Sequence, residues 1–211
     1  MKTIGQRVRA LLGPAEPAVG RMYRGAFFSL RSFASAVRAW TDAGTILEVG
    51  CGDGLATEQL RAAFPRAAIT GIDIQPAVGK LFRGDRAGVT FLTATLEEFV
   101  ARSSFGFDLV VICDVLHHVP PADRPDLLRR AASALRPGGA LVLKDWERRR
   151  NLPHLIAWFS DRFVTGSQVW FESARTLREL ASSALGAPVE DELRFPPWRN
   201  NVAFLIRPRP C

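Results

Sequence analysis

Apolar positions in this chain fall into short runs that alternate with stretches of helical spacing. The runs Thr45–Val49, Ala68–Asp73, Val89–Thr93, Phe107–Cys113, Ala140–Lys144, Val189–Phe195 and Asn201–Arg207 read as strands. Apolar residues at i, i+3 and i+4 place helices over residues 54–63, 76–83, 95–103, 123–135 and 172–184. Strands alternating with helices imply right-handed crossovers and an α/β, doubly wound, mostly parallel sheet covered on both faces. Ligands bind such sheets outside the carboxyl ends of the strands, so the residues just after each strand are the ones to inspect.

Two regions flank this rhythm. Tyr23, Phe27, Phe28, Leu30, Phe33, Val37 and Trp40 give a helical pattern from about Gly20 to Trp40, apolar on more than one face. It is expected to pack on the domain or to cover a cleft, with Tyr23 as packing or as a lid residue. Residues 146–170 carry Arg148-Arg149-Arg150, Pro153, Gly166 and several aromatics, and read as a substrate-facing insert after the fifth strand. The expected organisation is one domain: a helical cap (1–44), a core (45–145), the insert, and a closing helix and strands (171–211).

Composition narrows the partners. The chain has 211 residues, 47% of them hydrophobic, ample for one packed core. The net charge of +7 raises the question of an anionic partner. Lysine occurs only at Lys2, Lys80 and Lys144, and the arginines are scattered, which argues against a nucleic-acid site. Cys51, Cys113 and Cys211 lack any CxxC spacing, so neither a disulfide framework nor a zinc site is indicated, and a cytoplasmic setting is expected. No run reaches the roughly 18 to 20 apolar residues of a membrane span. Peripheral membrane contact stays open, with Arg148, Arg149 and Arg150 as a solvated turn or a headgroup contact.

The chemistry centres on Ile46-Leu47-Glu48-Val49-Gly50-Cys51-Gly52-Asp53-Gly54, an apolar strand turning into a loop with glycine at every second place, then a helix. Such a loop lets backbone approach a nucleotide-type ligand at the helix N-terminus. Leu55 stands where a dinucleotide fingerprint has its third glycine, and the sole tyrosine lacks a lysine four residues on, which disfavours a nicotinamide-dependent reductase. Asp73 ends the next strand about 20 residues further, where a carboxylate can hold a ribose diol. Its other reading is a cap for a helix announced by Pro76.

With these residues in view, the chain resembles the class I S-adenosylmethionine-dependent methyltransferases, in the small-molecule branch that includes the quinone-biosynthesis enzymes. The resemblance covers about residues 44–145 and rests on the loop Leu47–Gly54, on Asp73, on Phe107–Val119 with its His117-His118 pair, and on Leu135-Arg136-Pro137-Gly138-Gly139 before the fifth strand. It implies a seven-stranded sheet of order 3-2-1-4-5-7-6 with the last strand antiparallel, and S-adenosyl-L-methionine as cofactor. It also implies that Gly50, Cys51, Gly52 and Gly54 hold the methionine part, that Glu48 orients its amino group, that Asp73 binds ribose, and that Ile74 lies against adenine. Cys113, Asp114 and His118 would complete the cofactor contacts. Where many relatives carry an acid after the third strand this chain has Thr93-Ala94-Thr95-Leu96, so adenine is expected on the backbone of Ala94 to Leu96, with Thr95 as a side-chain partner and Glu97 and Glu98 as first-turn acids.

In-line displacement of a sulfonium methyl needs positioning more than covalent catalysis, which suits a chain with no nucleophile triad. Candidate bases for an oxygen or carbon acceptor are His118 and His154, with Asp145 orienting the acceptor and Lys144 meeting an acidic group or pairing with Asp145. Only Asp114 and Asp145 are placed as converging carboxylates, and no metal is expected. Aromatics of the insert and of Pro196–Asn201 point to a small apolar, aromatic or lipid-like acceptor. The readings set against the enzyme are a non-catalytic cofactor-binding protein and a nucleic-acid-binding module.

Overall fold

In the computed structural model, which describes residues 29–102, 106–149 and 168–209, the chain runs through alternating elements. They are α1 (Leu30–Trp40), β1 (Thr45–Val49), α2 (Leu55–Ala63), β2 (Ala68–Asp73), β3 (Val89–Thr93), α3 (Leu96–Arg102), β4 (Phe107–Cys113), a 3₁₀ turn (Leu116–His118), α4 (Arg124–Ser133), β5 (Leu135–Trp146), α5 (Ala174–Leu185), β6 (Val189–Phe195) and β7 (Asn201–Ile206). The strands form one sheet in the order β3-β2-β1-β4-β5-β7-β6. β1 pairs in parallel with β2 and β4, β2 with β3, and β4 with β5, while β7 runs antiparallel to β5 and β6.

Strand alternation sends side chains to two cores. Leu47, Val110, Ile112, Leu141, Leu143 and Phe204 pack under α4 and α5 through Leu128 and Leu177. Ile46, Leu109, Val111, Val142 and Leu205 pack under α1 and α2 through Phe33, Val37 and Leu60. β4 is buried along its whole length, as a central parallel strand with both faces covered must be. The described part of the N-terminal helix starts at the Ser29 cap, whose side chain accepts from the Ser32 N–H, and lies on the second core, as the packing reading requires. Tyr23 lies outside the described residues.

Two elements depart from the pattern. No helix forms over residues 76–83; turns take its place, because Gly79 has φ +68 and the backbone donors go elsewhere. The Gly79 N–H donates to Gly52 O at 2.9 Å and the Leu81 N–H to Asp53 O at 2.8 Å, so the segment braces the glycine loop. β5 is longer than the apolar run Ala140–Lys144. It starts at Leu135, paired with Phe107 across an irregular register, and continues through Asp145 and Trp146, which pair with Val202 and Asn201. The strand passes two charged residues without breaking because each finds an oppositely charged or hydrogen-bonding partner, Asp114 for Lys144 and His117 for Asp145.

Candidate active site

The carboxyl ends of β1, β2, β3 and β4 converge on the glycine loop. Gly50, Gly52 and Gly54 all have positive φ (+72, +53 and +86), which L side chains adopt only with strain. A Cβ on Gly50 would stand 2.3 Å from Val115 Cγ2, so the loop lies directly against the segment after β4. The loop donors are spent inside the chain: Gly50 and Cys51 N–H on Ile72 O (2.8 and 3.0 Å), Gly52 N–H on Asp73 Oδ2 (2.8 Å) and Gly54 N–H on Cys51 O (2.9 Å). A phosphate, which needs open N–H donors, finds few here.

Charge points the same way. Glu48 is 1% exposed, below the loop, where it accepts from Thr57 Oγ1 of α2 at 2.5 Å. Burial, with lesser contributions from Asp53 and Asp73, pushes its pKa up to about 8 against the pull of that hydrogen bond, so the carboxyl is protonated at neutral pH. Burial also pushes the Cys51 thiol well up, with Glu48 and Asp73 adding to it. The negative charge at the loop therefore rests on Asp53 and Asp73, which favour a cationic ligand over an anionic one.

Asp73 does not cap a helix. Its Oδ1 accepts from the Gln75 N–H at 2.8 Å and its Oδ2 from Gly52, which leaves a second lone pair on each oxygen. Ile74 beside it is 71% exposed. At the β3 end, Thr95 Oγ1 accepts from the Glu98 N–H (3.1 Å) while the Glu98 carboxylate accepts from the Thr95 N–H (2.9 Å). This reciprocal pair is a capping box, so Thr95 and Glu98 are already engaged at the start of α3, and Glu97 meets Arg130.

The ends of β4 and β5 carry two ion pairs on opposite faces. Lys144 is 0% exposed, its Nζ 2.6 and 2.7 Å from the two oxygens of Asp114, a residue at φ +59. Asp145, next along the strand, points the other way. Its Oδ1 lies 2.5 Å from His117 Nδ1, and its Oδ2 accepts from the His117 N–H at 3.0 Å. Lys144 and Asp145 therefore do not pair with each other. Burial alone would raise the Asp145 carboxyl, but His117, the Trp146 N–H and Lys144 hold it below its usual value. His117 stacks on Phe171 with centroids 5.1 Å apart and lies 4.1 Å from the ring of His118. His118 is the exposed member; desolvation first and His117 second lower its pKa to about 4, so it is neutral at pH 7. Ligand atoms of Asp114, His117 and Asp145 lie within 4.8 Å of one another, yet Lys144 and His117 already hold the two carboxylates.

Comparison with known proteins gives this geometry its family. A family model described as "Methyltransferase domain" matches residues 47–141. The chain is 35% identical over 173 residues to a ubiquinone biosynthesis O-methyltransferase of Xanthomonas axonopodis pv. citri (strain 306), covering 77% of this chain and 71% of that protein. The chain belongs to the S-adenosylmethionine-dependent methyltransferases. Among solved structures, the S-adenosylmethionine-dependent methyltransferase SibL superposes with TM-score 0.73 at 21% identity, over 100% of this chain and 63% of that one. A Burkholderia thailandensis 1,6-didemethyltoxoflavin-N1-methyltransferase, solved with S-adenosylhomocysteine, superposes with TM-score 0.64 at 18% identity, over 100% and 92%. The chain thus spans less than two thirds of the length of SibL, and these two likenesses speak for the fold.

The cradle of this methyltransferase fits its cofactor, S-adenosyl-L-methionine. The ligand carries an ammonium and a sulfonium and no phosphate, matching a loop with its donors tied up and the Asp53 and Asp73 carboxylates beside it. Several supporting residues carry no sequence signal. Arg124 is buried, its Nε donating to Val119 O (2.9 Å), one terminal nitrogen to Trp170 O (2.7 Å) and the other to Glu172 (3.2 Å). Trp170 N–H in turn donates to His117 O at 2.8 Å, and Arg148 N–H to Glu172 O at 2.7 Å. Residues 147–148 and 170–172, at the two ends of the insert, are thereby tied to each other and to the histidine turn. His154 and most of the insert lie outside the described residues.

Proposed function

We propose that this methyltransferase transfers the methyl group to a hydroxyl oxygen of a small apolar or aromatic acceptor. The observation that carries the reading is the cation-favouring cradle beside a neutral, exposed imidazole, His118, at the end of β4. The O-methyltransferase relative supports oxygen as the methylated atom. When bound, the cofactor supplies a methyl group on sulfonium sulfur for in-line displacement.

The chain's own residues bind, orient and accept a proton. The backbone of Gly50, Cys51, Gly52 and Gly54 lets the methionine part approach, with Glu48 beneath it, and Cys113 and Asp114 close that side. Asp73 offers its remaining lone pairs to the ribose diol, Ile74 covers adenine, and the backbone of Ala94, Thr95 and Leu96 meets its edge. His118 takes the acceptor proton. Asp145 is a positioning residue, holding His117 in one tautomer against Phe171 so that His118 has a fixed neighbour. His154 stands as the second base, residues 1–44 as a cap, and the 146–170 insert as the acceptor wall in a cytoplasmic enzyme that touches membrane at most peripherally.

Calorimetric titration tests the reading. S-adenosylmethionine and S-adenosylhomocysteine are expected to bind and NADH not to. Asp73→Ala should weaken S-adenosylhomocysteine about 10- to 100-fold, as loss of charge-assisted hydrogen bonds does. Binding of NADH alone would overturn the family chemistry; an unchanged affinity in Asp73→Ala would remove the ribose role. Full turnover in both His118→Ala and His154→Ala would leave positioning as the whole mechanism.

A further inference from the structure

Arginine is rarely buried unless its charge and its five donors are met, yet Arg124, at the start of α4, is 2% exposed. Its guanidinium pairs with Glu172, whose side chain is 23% exposed. The contacts that draw it inside are to backbone: Nε donates to Val119 O at 2.9 Å and a terminal nitrogen to Trp170 O at 2.7 Å.

These contacts bracket His118. The 3₁₀ turn Leu116–His118 is three residues long, with the His118 and Val119 N–H groups on Val115 O and Leu116 O (2.9 and 3.0 Å). Hydrogen bonds in such a turn have poor geometry, and so short a turn needs outside contacts to hold one conformation. It receives them on both sides of His118. The Val119 carbonyl accepts from Arg124 Nε, and the His117 carbonyl accepts from the Trp170 N–H at 2.8 Å, from the same residue whose own carbonyl Arg124 grips. Phe171, between Trp170 and Glu172, stacks on the His117 ring with centroids 5.1 Å apart and planes 17° from parallel. One guanidinium thus fastens the backbone after His118 directly and the backbone before it through residues 170–172.

We propose that Arg124 is a positioning residue for methyl transfer: it fixes the backbone on both sides of His118 and so aims the imidazole that takes the acceptor proton. The planar fork matters as much as the charge, because it meets three acceptors on two segments at once, which a lysine ammonium on its flexible stem does not reproduce. Beyond its burial, the ring answers to His117, Asp145, Asp114 and Asp73; Arg124 acts on it through the backbone. The proposal rests on the reading of His118 as the base and adds to it a residue that does not itself touch the ligands.

The test uses the full chain saturated with S-adenosylhomocysteine, as wild type, Arg124→Lys and Arg124→Met, followed by NMR. In both variants amide hydrogen exchange should speed up about 10- to 100-fold more at Trp170, His118 and Val119 than along β4, the mark of local opening. The His118 ring resonance, identified by its loss in His118→Ala, should titrate at about 4 in wild type and move up toward 6.5 in both variants, as the loosened turn carries the ring further into water. Arg124→Lys, which keeps the charge, carries the test if the methionine variant does not fold. Equal acceleration at all amides would make Arg124 a purely structural residue and overturn the proposal, as would a His118 midpoint that is the same in all three proteins. Failure of the reading beneath it looks different: a wild type that does not bind S-adenosylhomocysteine would sink the methyltransferase reading, and full turnover in His118→Ala would sink the base, each with the local exchange pattern intact.

Discussion

At the scale of single residues, tertiary neighbours decide what a side chain can do. Glu48 reads in the sequence as an acid beside a glycine loop, but the fold buries it against Thr57, and its pKa rises from 4.5 to about 8. A carboxyl raised on folding binds its proton more tightly in the native state. Its contribution is complete below the unfolded value and is lost as pH climbs from about 4.5 to 8, by a few kcal/mol in all. Glu48→Gln should remove that slope, so that its stability by urea denaturation falls less than wild type's between pH 5 and 8; parallel curves would refute the assignment. Lys144 and Asp145 teach the same lesson. Adjacent charges in sequence look like a pair, yet the twofold alternation of a strand makes them partners of Asp114 and His117 on opposite faces.

At the scale of elements, the glycine loop shows which glycines matter and why. Gly50 and Gly138 both have positive φ, but only Gly50 has a neighbour where a Cβ would go, Val115 Cγ2 at 2.3 Å, while Gly138 has nothing within 4 Å. Gly138→Ala should therefore cost about 1–2 kcal/mol, the left-handed strain alone. Gly50→Ala adds overpacking and should cost roughly 2–5 kcal/mol. Adding Val115→Ala to Gly50→Ala should destabilise by less than the sum of the single changes; strict additivity would show that the clash is not what matters. β4 was legible because a central parallel strand covered on both faces is apolar over nearly its whole length. The segment at 76–83 was not, since its helical spacing says nothing of the carbonyls of Gly52 and Asp53 that draw its donors away. The capping box at Thr95 and Glu98 was legible in the Thr-Leu-Glu-Glu spacing, although read only as first-turn acids.

At the scale of the whole molecule, the net charge of +7 is divided among local ion pairs over the described residues. Arg61 pairs with Asp85, Arg130 with Asp126, Arg175 with Glu179, and Arg194 with Glu147, which breaks the positive field into local dipoles. The protein should leave a heparin column at or below about 0.2 M salt, whereas retention past roughly 0.5 M would mean a concentrated basic face. None of the helices described is long and apolar enough to cross a membrane. By itself, the sequence determined the strand series, and through its family motifs the sheet order and the cofactor, because glycine spacing and apolar periodicity are local properties of the chain. Only the tertiary structure decided that Lys144 serves Asp114, that Asp145 serves His117, that Arg124 ties the insert's flanks to the histidine turn, and that Asn201 is left without a partner. Those facts depend on residues 28 to 48 positions apart being brought within hydrogen-bond reach, or on none being brought there, and no local pattern encodes either outcome.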